Sequence, residues 1–461
     1  MKSPASILLA LASLWGVVGC FAAGNSAAQP NILFLFADDQ RADTIAALGN
    51  PVIQTPNLDR LCHQGLAFTR AYMQGGFNAA TCVPSRAMLL SGQSLFHIDE
   101  KLLRDETWPA AFGRAGYTTF ATGKWHNGAA SLPECFQSSR GSFIGGMATN
   151  PLGAPVQDLK NGKLLKPRLA KEHLCAVAAA ESIRFLQAHR AGPFFCYVAF
   201  DAPHDPHIVP PDFPVKYDPA KIPLPPNFMP QHPFDNGEMK VRDEMLLPHP
   251  RPPEAVRQMT ADYYRYITFL DSQVGRILDA LAASPFATNT IVVFSADSGV
   301  ARGSHGLIGK QNLYEYDSVR VPLIFVGPGM PAGKTTDAMC YLYDVLPTLG
   351  AVCGVPGPPK SEGQNLSAVL RGGSGGRESL VFAYQNVQRA IATRDWKLIR
   401  YPQAGQTQLF HLSEDPYEVC NLADKPEQVV RVAELIAQLK QELAAAGDHA
   451  SQSSAASIPN E

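Results

Sequence analysis

The stretch NAATCVPSRAMLLSGQ, Asn78 to Gln93, sets a cysteine just ahead of a helix-forming run. Pro84 and Ser85 suit the first turn of a helix, because proline there gives up only an N–H that has no intrahelical partner. Arg86 to Leu90 continue as good helix formers. Cys82 then sits at the positive end of the helix dipole, beside Arg86, a setting that lowers a thiol pKa. The competing reading is a small buried thiol. Asp38 and Asp39 end one apolar run and Asp297 ends another. Together they could hold a hard divalent cation, which takes oxygen ligands and lets adjacent like charges coexist; solvated surface acids are the alternative. In TGKWHNG, Lys124 could bind an anion as a point charge and His126 could shuttle protons. His204 in DAPHDPH, and His305 and Lys310 in GSHGLIGKQNLYE, are open to the same two interpretations, a site or a surface loop.

These residues need a scaffold that gathers them. NILFLFADDQ (31–40), GPFFCYVAFDAPHDPH (192–207) and NTIVVFSADSG (289–299) are each a short continuous apolar run that ends in acids or histidines. That is the pattern of a buried parallel strand whose C-terminal end carries function. Helical patterns at 171–190 and 259–284 lie between them, so the expected fold is α/β with a large, mostly parallel sheet flanked by helices. Residues 205–255 are proline-rich with little periodicity, and read as a long loop insertion over the site. RGGSGGRES (371–379) marks a boundary. Beyond it, strand and turn patterns followed by an amphipathic helix at 426–447 predict a small antiparallel sheet with a helix. The expected organisation is a signal peptide at 1–28, a catalytic domain at 29–375, a C-terminal α+β subdomain at 376–447 and a disordered tail at 448–461.

Composition narrows the class. Hydrophobic residues at 46% and charged residues at 17% fit a globular chain with ample core. A formal net charge of -2 gives no support for a nucleic-acid partner. The opening MKSPASILLALASLWGVVGCFAAGNSAAQPN has an early lysine, an apolar run and then small residues, which reads as a secretory signal cleaved after Ala28. VVGC, ending at Cys20, also resembles a bacterial lipobox, so a lipid anchor on Cys20 stays open as the membrane link. An exported, periplasmic or secreted protein is expected. The other eight cysteines are scattered without a C-x-x-C, which removes zinc-finger and thioredoxin readings but leaves disulfides open.

Taken in order, PNILFLFADDQ, TPNLDRL, CVPSRAMLLSG, GKWHNG, APHDPH, ADSGVARGSHGLIGKQNLYE and LFHLSEDPYEVCNLA resemble the type I sulfatases of the alkaline-phosphatase superfamily. The resemblance is closest to the branch of iduronate-2-sulfatases and choline-sulfatase-type enzymes, and C-x-P-S-R is its most specific element. It implies an alkaline-phosphatase-like fold and a Cys82 oxidised by a separate maturation enzyme to formylglycine, whose hydrated form attacks sulfur. It further implies that Asp38, Asp39 and Asp297 bind Ca²⁺ together with residue 82, and that Lys124 and Lys310 bind sulfate. Arg86 would support the diol and the carboxylates, His204 would protonate the leaving group and His126 would deprotonate the second hydroxyl. The position after the third aspartate is normally asparagine or histidine in this family; here it is Ser298, expected to be a weak or water-mediated metal ligand. The implied substrate is a sulfated carbohydrate or a small sulfate ester. A phosphoesterase of the same superfamily and a non-catalytic glycan-binding relative are the alternatives, disfavoured by the intact C-x-P-S-R and the retained lysines and histidines.

Overall fold

The computed structural model of the protein describes Met1 and residues 29–448. The expected signal peptide with Cys20, and the tail from residue 449 on, lie outside the described residues. Asn31–Ala37, Phe194–Ala199 and Thr290–Ala296 are strands in which every residue is buried. Their unbroken apolar runs have no polar face because both sides of the sheet are covered. Asn31–Ala37 pairs in parallel with Thr290–Ala296 on one side and Phe194–Ala199 on the other, and the latter pairs in parallel with Thr118–Trp125. In-register pairing of Ala37 with Ala296 and of Phe36 with Ala199 brings the four carboxyl ends to one edge. Further out the sheet turns mixed: Arg320–Val326 runs antiparallel to Thr290–Ala296, and short strands extend both flanks. Leu174–Ala188 and the long helix Pro253–Ala282 pack together and supply the apolar cover.

The expected second sheet is present. Strands Ser379–Tyr384, Gln388–Thr393, Trp396–Tyr401 and Gln406–His411 form an antiparallel meander. Helix Val429–Ala445 covers it through Leu435, Leu439 and Leu443. This sheet also takes in Gly75–Gly76, which pairs in parallel with Ser379–Tyr384. A Cβ on Gly75 would lie 1.9 Å from the Ala383 carbonyl, so only glycine lets the two backbones approach there. Asp448, read from sequence as the start of a loose tail, is instead buried and accepts Arg389 Nε at 2.6 Å. All eight cysteines among the described residues are free thiols, so the disulfides left open by the sequence do not form among them. No helix among the described residues is long and apolar enough to cross a membrane.

Candidate active site

The strand ends place the acids. Asp38 and Asp39 follow Asn31–Ala37, and Asp297 follows Thr290–Ala296. Asp39 takes a left-handed φ of 63°, and its N–H donates to Asp297 Oδ1 at 3.0 Å. The helix expected from Pro84 onward begins two residues earlier, spanning Cys82–Ser91, with Ser85 N–H bonded to the Thr81 carbonyl. One turn in, Arg86 faces the acids: Nε donates to Asp297 Oδ2 at 2.9 Å, and Nη2 lies 2.8 Å from the same oxygen and 3.7 Å from Asp38 Oδ1. Ser85 Oγ donates to the Asp297 carbonyl at 2.6 Å, a contact that sequence alone did not suggest.

Two lysines complete the charge balance. Lys124 Nζ pairs with Asp38 Oδ2, and Lys310 Nζ donates to both carboxylate oxygens of Asp39 at 2.7 Å. Three buried carboxylates thus face three buried cations, which offsets the desolvation that each charge alone would suffer. Ser298 Oγ donates to Asp39 Oδ1 at 2.7 Å. His204 Nε2 stands 3.6 Å from Asp39 Oδ2. The Cys82 thiol lies 3.1 Å from His126 Nδ1 and 4.0 Å from Lys124 Nζ. Contacts of 4.0 Å or less therefore join Cys82, Arg86, Lys124, His126, His204, Lys310, Asp38, Asp39, Asp297 and Ser298 into one network. His305, the other histidine singled out from the sequence, is turned away from it, stacked on Tyr314 at 3.7 Å.

The expectation of a low thiol pKa at Cys82 fails. Burial pushes the thiol up to about 11, and the nearby Lys124 and Lys310 charges offset this only in part. The helix terminus and the arginine are there, but the arginine is committed to the carboxylates and water is excluded. His126 is pushed down to about 2, first by burial and then by Lys124 and Arg86, and its Nδ1 lies within hydrogen-bond reach of the thiol. Burial also raises the Asp39 carboxyl, but Lys310 and His204 more than offset it and hold this group well below the usual range. Asp297 moves the other way, raised to about 6 by burial and by Asp38, against the pull of Arg86. His204 is lowered by burial and by Lys310, with Asp39 opposing.

The donor set fits a hard cation. Ligand atoms of Asp38, Cys82 and Asp297 all lie within 4.8 Å of one another, and Asp38 Oδ1 is buried without a hydrogen-bond partner. The carboxylates of this cluster, with Asp39 beside them, suit Ca²⁺ or Mg²⁺ better than softer metals. A second cluster, His173, Cys175 and Asp201, is already spent internally: Cys175 Sγ and Tyr266 OH both donate to Asp201, and His173 Nδ1 accepts the Cys175 N–H. Sequence reasoning also missed Gly146. A Cβ there would lie 2.2 Å from His126 Nε2, so the bare backbone is what lets the imidazole stand against Cys82.

The sequence pattern that defines the family described as Sulfatase matches residues 30–355, well over half of the chain. The chain belongs to the sulfatase family. A second pattern, described as N-sulphoglucosamine sulphohydrolase, C-terminal, matches residues 303–448 of this sulfatase. The sulfatase is 29% identical over 447 residues to an ulvan-active sulfatase of Formosa agariphila, covering 91% of this chain and 82% of that protein. It is 28% identical over 449 residues to iduronate 2-sulfatase of Mus musculus, covering 79% and 78%. Among solved structures, one in complex with its substrate D-glucosamine-2-N,6-O-disulfate has a TM-score of 0.76 at 23% identity, over 91% of this chain and 99% of that one. Phosphonate monoester hydrolase of Agrobacterium radiobacter has a TM-score of 0.71 at 23% identity, over 90% and 96%. The alkaline-phosphatase-like fold is thus shared with a phosphonate hydrolase, so the fold alone does not fix the chemistry. The sulfatase is an enzyme, a sulfuric ester hydrolase, and the non-catalytic alternative falls with that assignment.

Proposed function

We propose that this sulfatase, once matured at Cys82, removes sulfate from a carbohydrate outside the cytoplasm, with one Ca²⁺ held by Asp38, Asp39 and Asp297 and with Ser298 at most an indirect ligand. The observation that carries this reading is the 3.1 Å approach of Cys82 Sγ to His126 Nδ1, inside a buried cluster of three acids and three cations. When formed, formylglycine at position 82 supplies, as its hydrate, two hydroxyls where the structure holds a thiol. When bound, Ca²⁺ supplies positive charge against the sulfate oxygens.

The chain's own residues do the rest. Lys124 and Lys310 add two positive charges close to residue 82, where an anionic ester needs them and where little water screens them. Arg86 stays on Asp297 and Asp38 and keeps those carboxylates oriented. His126, whose Nδ1 faces residue 82, takes a proton from a hydroxyl there. His204, on the Asp39 side, delivers a proton to the departing alcohol oxygen.

The carbohydrate substrate is supported by the names of the relatives, iduronate 2-sulfatase and ulvan-active sulfatase. Export, a lipid anchor at Cys20 and a formylglycine-generating partner are supported by the sequence readings of the N-terminus and of C-x-P-S-R. Protein co-produced with a maturation enzyme is to be assayed for inorganic sulfate released from a panel of sulfated oligosaccharides, before and after treatment with a calcium chelator. Release that is lost on chelation and restored by Ca²⁺ is expected. Unchanged turnover in stripped protein would refute the metal assignment, and hydrolysis of aryl sulfates with every sulfated sugar refused would refute the substrate class.

A further inference from the structure

The long insertion meets the site at one arginine. Arg242 Nη1 donates to Asp205 Oδ1 at 3.1 Å, and Nη2 donates to Asp205 Oδ2, a two-pronged grip on the carboxylate. The same Nη1 reaches Asp243 Oδ1 at 3.0 Å. Asp243 in turn accepts Gln311 Nε2 at 2.9 Å, next in the chain to Lys310. Asp205 presents two acceptors to His204: its backbone carbonyl lies 2.7 Å from Nδ1, and its Oδ1 lies 3.3 Å from the same nitrogen. A carbonyl and a carboxylate can only accept, so Nδ1 carries a hydrogen whatever the charge of the ring. The other nitrogen, Nε2, is left facing Asp39 and the site.

We propose that Arg242 and Asp205 are positioning residues for His204: the arginine fixes the aspartate, and the aspartate fixes the imidazole so that Nε2–H points at the ester oxygen. This rests on the reading of His204 as the leaving-group acid. As the sulfur–ester oxygen bond breaks, its electron pair passes to that oxygen. The Nε2–H bond breaks with it, its proton goes to the oxygen, and its electrons stay on the ring, which becomes neutral. A ring free to turn about its Cβ–Cγ bond would present Nε2 only part of the time, and the rate would fall in proportion. The grip contributes little to folding, because the Arg242 side chain is 49% exposed and an ion pair at that depth is weak.

A positioning role is separated from a structural one by the leaving group. An acidic phenol departs without help, whereas a weakly acidic one needs its proton, so a graded series of substituted phenyl sulfates reads the acid directly. With matured protein, His204→Ala should lose on the order of 100-fold in kcat/KM on the least acidic phenol and only a few-fold on the most acidic. Arg242→Ala should lose about tenfold on the least acidic phenol and less than about twofold on the most acidic. Arg242→Lys, which keeps the charge but not the fork, should fall between Arg242→Ala and the matured wild-type enzyme. If Arg242→Ala and Arg242→Lys lose equally across the series, or lose nothing, while His204→Ala keeps its slope, the inference is overturned and the acid assignment stands. A flat series for His204→Ala overturns the acid assignment itself.

Discussion

Ser298, at a position where the resemblance implies asparagine or histidine, turns its hydroxyl onto the acids of the site. Its hydroxyl donates to Asp39 Oδ1, an oxygen that Lys310 also holds. Its present role is therefore to orient a carboxylate. A hydrogen bond to an ionised carboxylate contributes about 1.5 kcal/mol at the low end, which is roughly a tenfold change in an equilibrium constant. Ser298→Ala should accordingly raise the Ca²⁺ concentration for half-maximal activity by about tenfold and leave kcat at saturating metal nearly unchanged. Titration of stripped enzyme with Ca²⁺ checks this, and a loss of 100-fold or more would make the serine a direct ligand. Ten residues of the site could be named from sequence because each belongs to a motif with chemistry of its own. Gly146 could not, since its contribution is the absence of a side chain beside His126, and nothing in its neighbours signals that. The Cys82 pKa was misread for a related reason: a helix terminus is visible in sequence, but the burial that outweighs it is not.

The strands ending at Ala37, Ala199 and Ala296 were legible because a buried parallel strand is a continuous apolar run. The insertion at 205–255 was legible only as a loop, because its order comes from contacts distant in sequence. Glu244 is its main anchor. The buried carboxylate accepts the Ile308 N–H at 3.0 Å and the Gly309 N–H at 2.8 Å, and pairs with Arg251. Those backbone groups lie just before Lys310, so the insertion holds the loop that carries this lysine. Glu244→Gln keeps the shape, removes the charge and leaves Arg251 buried without its counter-ion, a change worth about 3 kcal/mol. The expected result is a lowered Tm and a KM for sulfate esters raised several-fold, with a smaller effect on kcat. Unchanged thermal stability and KM would show that the insertion is not fastened through this residue.

The seam between insertion and core also contributes to how the whole molecule responds to acid. His232, from the insertion, donates Nδ1–H to the His305 carbonyl at 2.8 Å, while its Nε2 is buried without a partner. Burial pushes His232 down to about 4; burial, together with the charges around it, pushes His305 down to about 3. In the unfolded chain both titrate near 6.5. Between these values the unfolded state binds more protons, so this stability is present in full above about pH 6.5 and is lost as pH falls towards 4. Asp271, raised to about 6 by burial, acts in the opposite sense in part of the same window. The difference between variants therefore isolates the histidine. Between pH 7 and pH 4 the Tm of His232→Gln should fall less than that of the wild-type protein, and parallel Tm curves would contradict the assignment.

The proposed chemistry turns on one atom, the sulfur of Cys82. Peptide mass spectrometry across Thr81–Arg86, on preparations matured to different extents, gives the fraction of chains in which that sulfur has been replaced by an aldehyde oxygen. Sulfate release from the same preparations should rise in proportion to that fraction and vanish where it is zero. Full turnover from protein whose residue 82 is thiol in every chain would contradict the account.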